Sequence, residues 1–145
     1  MNSKEIIACA RGLKSWCKTN DPYEIAQRMG IEVLTRKILI KGFVAQTIKV
    51  NGNPTIISIN DCYTEKSKKV LCAHELGHAI FHENCVNYFA GISKKSSVEI
   101  EREANLFAVA LLAPDDIDKY LVMPLEKMDN YSLKAIMDLN IEQIS

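Results

Sequence analysis

Two histidines four residues apart with a glutamate after the first, His74-Glu75-Leu76-Gly77-His78, constrain this chain more than any other feature. On an α-helix, residues i and i+4 lie about 40° apart around the axis, so both imidazoles can face one metal ion at ~2.0–2.1 Å. Glu75 sits about 100° from His74, outside that ligand stripe but within reach of a water on the ion's open side. Ala73, Leu76 and Ile80 make one apolar side of the segment, and Val70, Gly77 and Phe81 flank the histidines on the other. A helix that is apolar around most of its girth is buried. An interior stripe of His, Glu and His then requires a metal or other partners. The expected cofactor is zinc, one ion per chain.

Catalytic zinc keeps three protein ligands and one open position. His82 continues the i+4 series, but on a straight helix it lies ~12 Å along the axis from His74, too far for all three to converge. It reads as a polar wall or an outer partner of the site. Position 84 is Asn, which removes the pattern with a third histidine six residues after the second. The better source is Val98 to Leu112, where Ile100, Ala104, Phe107 and Leu111 define a buried stripe. Glu103 lies about 60° from the centre of that stripe, and Glu99 and Glu101 each about 100°. Glu103 is therefore chosen over Glu99, and Ala104, Ala108 and Ala110 would let the two helices approach closely.

The expected ligands are thus His74, His78 and Glu103, with Glu75 as general base and later proton donor to the leaving amine. A further donor should stabilise the oxyanion. Tyr88, Tyr63, Tyr120 and His82 are all candidates, and the sequence does not choose among them.

Length and composition fit one catalytic domain over 1–145: helices and sheet in 1–60, the zinc-site helices in 61–122, and a helical tail in 123–145. Lys+Arg and Asp+Glu balance at 18 each, so charge demands no polyelectrolyte partner. Residues 1–60 carry 9 basic and 4 acidic side chains, and residues 61–145 carry 9 and 14. A solvated lysine-bearing surface accounts for this asymmetry, and direct binding to nucleic acid is not expected. Five cysteines form an odd set without a C-x-x-C pair, which argues against disulfides and thiolate zinc sites. The apolar run Ile6 to Ala10 is too short for a signal core, and no stretch reaches the ~20 residues of a membrane span. The cytoplasm is the expected compartment.

Ile6, Ala10, Leu13 and Cys17 recur at helical spacing and predict a helix over 3–18. Asp21 as N-cap, Pro22 at the first position and Gly30 as the stop bound a second at 22–29. From Ile31 the texture turns β-branched, with candidate strands at 31–35, 42–50 and 55–59 and Asn51-Gly52 closing a hairpin. The fold class is α+β: a small three-stranded antiparallel sheet packed with a helical, zincin-like core. Thr64 or Asp61 caps a helix to about His82, and a loop follows over 83–95. Ser96 and Glu99 resemble a capping box opening another helix that ends before Pro114. Short helices at about 116–122 and 132–139 complete the plan.

The segments DPYEIAQRMGIEVL, VLCAHELGHAIFH and EREANLFAVALLAPDD, in that order and spacing, resemble the ImmA/IrrE family of HELGH metallopeptidases over roughly residues 20–118. The resemblance implies a thermolysin-like helical pair beside a small sheet, with the Glu of the E-A-N segment, Glu103, as third ligand. It also implies a phage or mobile-element setting and, as protein substrate, a helix-turn-helix transcriptional repressor. The rival reading is a non-catalytic, protease-like regulatory module with a zinc site. Glu75 weighs against it, because structural zinc is closed by four protein ligands and leaves no position for a base to serve.

Overall fold

A computed structural model describes residues 2–40, 42–82 and 97–143. The first helix, α1 (Ser3–Cys17), starts at Asn2, whose side chain accepts from the Glu5 N–H. It buries Ile6, Ile7, Ala10 and Cys17 along one face. Asp21 accepts from the Tyr23 N–H at 3.0 Å to open α2 (Pro22–Arg28), and Gly30, at φ 75°, turns the chain out of it. Both helices stand where the sequence puts them.

The sheet contains β1 (Glu32–Arg36), β2 (Ala45–Ile48) and β3 (Ile56–Asn60) in the order β1-β3-β2. β2 and β3 are antiparallel, joined through the Asn51-Gly52 turn with Gly52 at φ 81°. β1, however, runs parallel to β3, so the sheet is mixed and not purely antiparallel. The reason lies in the burial of β3, in which Ile57, Ser58, Ile59 and Asn60 are all buried. Such a strand belongs in the middle, where both its edges are paired. The chain after β1 therefore leaves space for β3, forms β2 on the far side and returns. Among the described residues β2 is paired on one side alone.

Thr64 caps α3 (Glu65–Phe81) by accepting from the Ser67 N–H, and α4 (Ser97–Leu112) ends two residues before Pro114. The expected loop at 83–95 and the cap at Ser96 lie outside the described residues. Two short 3-10 turns (Ile117–Tyr120, Leu125–Lys127) lead to α5 (Asn130–Asp138), capped by Asp129. The segment after α5 comes back to α3: Glu142 O accepts from the Thr64 N–H, and the Ser67 hydroxyl meets the carbonyls of Asn140 and Glu142. Among the described residues no helix is long and apolar enough to cross a membrane. Cys17 and Cys72 are buried, Cys9 and Cys62 are partly exposed, and all four are unpaired.

The core is a continuous cluster joining α1 and α2, the sheet, the α3–α4 pair and α5. Its centre is the crossing of α3 and α4, where Leu76, Leu106, Phe107 and Leu111 are fully buried and the rings of Phe81 and Phe107 meet edge to face at 5.6 Å. Gly77 makes the crossing close. A Cβ built there would stand 3.1 Å from Ala104 Cα and 3.2 Å from the Ala104 carbonyl oxygen, both backbone atoms that cannot swing aside. Gly77→Ala should therefore lower stability by about 1 kcal/mol, since overpacking costs ~1–3 kcal/mol and helix propensity returns ~1 kcal/mol. Urea unfolding of the metal-free protein measures it, and a variant as stable as the parent would contradict this packing argument.

Candidate metal centre

α3 carries His74, Glu75 and His78 beside β2, and α4 packs against α3 at the same level. His74 Nε2 and His78 Nε2 lie 3.1 Å apart. The carboxylate of Glu101 spans both: Oε2 is 3.0 Å from His74 Nε2, and Oε1 is 3.2 Å from His78 Nε2. The donor atoms of these three residues all fall within 4.8 Å of one another. The set is chemically suited to a cation. Two imidazole nitrogens this close repel if both present lone pairs, and a carboxylate alongside them supplies negative charge, so a shared positive ion satisfies all three.

Glu103, the glutamate selected from the helical wheel, is buried as the wheel demands, but it lies elsewhere. Its Oε1 is 2.9 Å from His82 Nε2, and Glu101 stands beside the histidine pair in its place. The two glutamates are two residues apart and therefore point about 160° away from each other around α4. Glu99 sits exposed in the first turn. The wheel ranked candidates by distance from the core-facing stripe, whereas His74 and Glu101 open onto a cleft beside it. A pattern that would have found Glu101 is its i+4 relation to Asn105, since both residues line the cleft.

The electrostatics follow from this placement. Burial opposes charge on His74, but the Glu101 carboxylate, with Glu75 and Asn105 adding to it, outweighs burial and holds His74 above its usual pKa. Burial likewise opposes ionisation of Glu101, yet the two histidines hold its carboxyl well below the usual carboxylate range. The site attracts positive charge, whether proton or metal.

Glu75 is buried and directed toward β2, where the Thr47 hydroxyl lies 2.7 Å from Oε2 and 3.0 Å from the Glu75 carbonyl oxygen. Glu75, His74, Glu101, Asn105, Tyr63, Val44 and the first β2 residue, Ala45, share a cleft of about 490 Å³ that Lys134 and Asp138 of α5 also line. Of the oxyanion candidates, Tyr63 lines this cleft, Tyr120 is exposed away from it, His82 is engaged behind His78, and Tyr88 lies outside the described residues. α4 is anchored from below: the Arg102 guanidinium donates to the carbonyls of Met128 and Glu126, and Asn105 donates to Asn130.

Residues 26–136 match the family described as Peptidase_M78, IrrE N-terminal-like domain. This chain belongs to that family. It is also similar to Uncharacterized immunity region protein 2 of Bacillus phage phi105, at 37% identity over 113 residues, which cover 76% of this chain and 69% of the phage protein. The matched region spans α3 and α4 in full. The His, His and Glu cluster is therefore the candidate metal site of a metallopeptidase-type domain.

Proposed function

We propose that this chain is a zinc-dependent endopeptidase that cuts one or a few peptide bonds in a helix-turn-helix repressor, with His74, His78 and Glu101 holding the ion. The observation that carries the reading is the placement of Glu75. A buried carboxylate, braced on one oxygen by Thr47, stands in the same cleft as His74 and Glu101, two of the three residues whose ligand atoms converge. Zinc bound there would polarise the scissile carbonyl and make a water acidic enough to lose its proton near neutral pH. Glu75 would accept a proton from water and pass it to the departing amine. Thr47 engages Oε2, so Oε1 is the oxygen left for the proton transfer. The edge of β2 left unpaired among the described residues offers backbone N–H and C=O groups that can pair with an extended substrate and lay its chain across the cleft.

The substrate class is supported by two things. The phage relative is named for an immunity region, and the resemblance read from the sequence implies a helix-turn-helix repressor as substrate. The second support is physical. β2 is only four residues long, so strand pairing alone fixes few substrate residues. Docking of a folded partner then supplies the effective concentration that brings one bond to the site. Incubating the zinc-loaded protein with the helix-turn-helix protein encoded beside it, and separately with unfolded casein, should give discrete chelator-sensitive cuts in the first and slow or no cleavage of the second. Rapid cutting of casein at many bonds beside an intact repressor would overturn the substrate. No cleavage of any chain would favour a non-catalytic binding module.

A further inference from the structure

We propose that His82 and Glu103 form a relay that sets the proton on His78, so that Glu103 acts on the metal centre through His82 and is not itself a ligand. This rests on the metal-site reading above. Three buried side chains stand in series: His78 Nδ1 is 2.9 Å from His82 Nδ1, and His82 Nε2 is 2.9 Å from Glu103 Oε1. Each neutral imidazole has one N–H and one lone pair, and a carboxylate only accepts. Glu103 therefore requires the His82 proton on Nε2. His82 Nδ1 is then an acceptor, and it faces a nitrogen of His78 that must donate. The His78 proton is placed on Nδ1, which leaves a lone pair on Nε2, the atom 3.1 Å from His74 Nε2 and 3.2 Å from Glu101. In the opposite arrangement His78 Nε2 carries the proton and cannot ligate, and the lone pair of His82 Nε2 points at the carboxylate. The carboxylate is the end-stop that selects the ligating form.

The backbone explains why a third histidine on the same side can do this. His82 is the first residue beyond α3, at φ −122° and ψ 92°, although its N–H still donates to the His78 carbonyl at 2.9 Å. Leaving the helical conformation lets its ring turn back on His78. α4 then contributes twice, with Glu101 toward the cleft and Glu103 toward the interior.

With three histidines in the chain, long-range proton–nitrogen correlation NMR of the zinc-loaded protein can assign every ring. The expected result is protonated Nδ1 on His78 and protonated Nε2 on His82. The reverse pair would overturn the proposal. Zinc affinity, measured by competition with a chelator, should fall about 10–100-fold in His82→Leu and in Glu103→Leu. It should be largely rescued in His82→Gln, whose amide can accept from His78 and donate to Glu103, and in Glu103→Gln, whose oxygen can accept from His82. If Glu103→Gln loses as much affinity as Glu101→Ala, Glu103 is a direct ligand and the relay is wrong. If Glu101→Ala weakens zinc but His82→Leu does not, the relay alone fails. If neither Glu101→Ala nor His74→Ala weakens zinc, the metal-site reading beneath it fails.

Discussion

Replacing Glu75 by glutamine should reduce peptide hydrolysis by about 10²–10⁴-fold, the usual contribution of a general base, while zinc content and fold persist. The amide cannot accept a proton from water. It can, however, preserve the local structure, because the Thr47 hydroxyl beside it accepts as readily as it donates. Metal analysis and circular dichroism of the variant separate lost chemistry from lost structure. Near-normal turnover in zinc-loaded protein would remove Glu75 from the mechanism.

The second large effect is expected at Glu101. Glu101→Ala takes one of three proposed ligands from the ion, so its zinc affinity should fall by more than the roughly 10–100-fold that loss of an outer partner costs. Glu103→Ala should fall within that smaller range. Chelator competition on both variants under one set of conditions ranks them. A larger loss at Glu103 would restore it as third ligand and leave Glu101 as a charged neighbour.

Most of what positions this site could be read from the residues alone. Asp21-Pro22 and Gly30 bound α2 by local chemistry, and the same local chemistry bounds it in the fold. His74, Glu75 and His78 needed only helical geometry, because their mutual placement is settled within two turns. Where long-range structure decides, the sequence was less informative. The direction of β1 is set by which strand occupies the middle of the sheet, a competition between segments that no local pattern expresses. The choice between Glu101 and Glu103 depends on which face of α4 meets a cleft and which meets a core. A hydrophobic stripe marks only the second. Thr47 was invisible for the same reason: a threonine in a strand is ordinary until α3 is laid across it.

The close crossing at Gly77 and Ala104 carries a consequence for folding. His74 and His78 lie one turn apart on α3, so even a transient helix in the unfolded chain can offer an ion two nitrogens. Glu101 is on the other helix, and it arrives only once Gly77 has met Ala104. The proposed ion therefore distinguishes folded from unfolded chain mainly through what α4 adds, and by mass action its free concentration biases closure of this helical seam. Starved of metal, the two helices depend on packing and on the contacts of Glu101 and Glu103 with the histidines to stay docked; supplied with it, a carboxylate from one and imidazoles from the other are held across the joint by the ion as well.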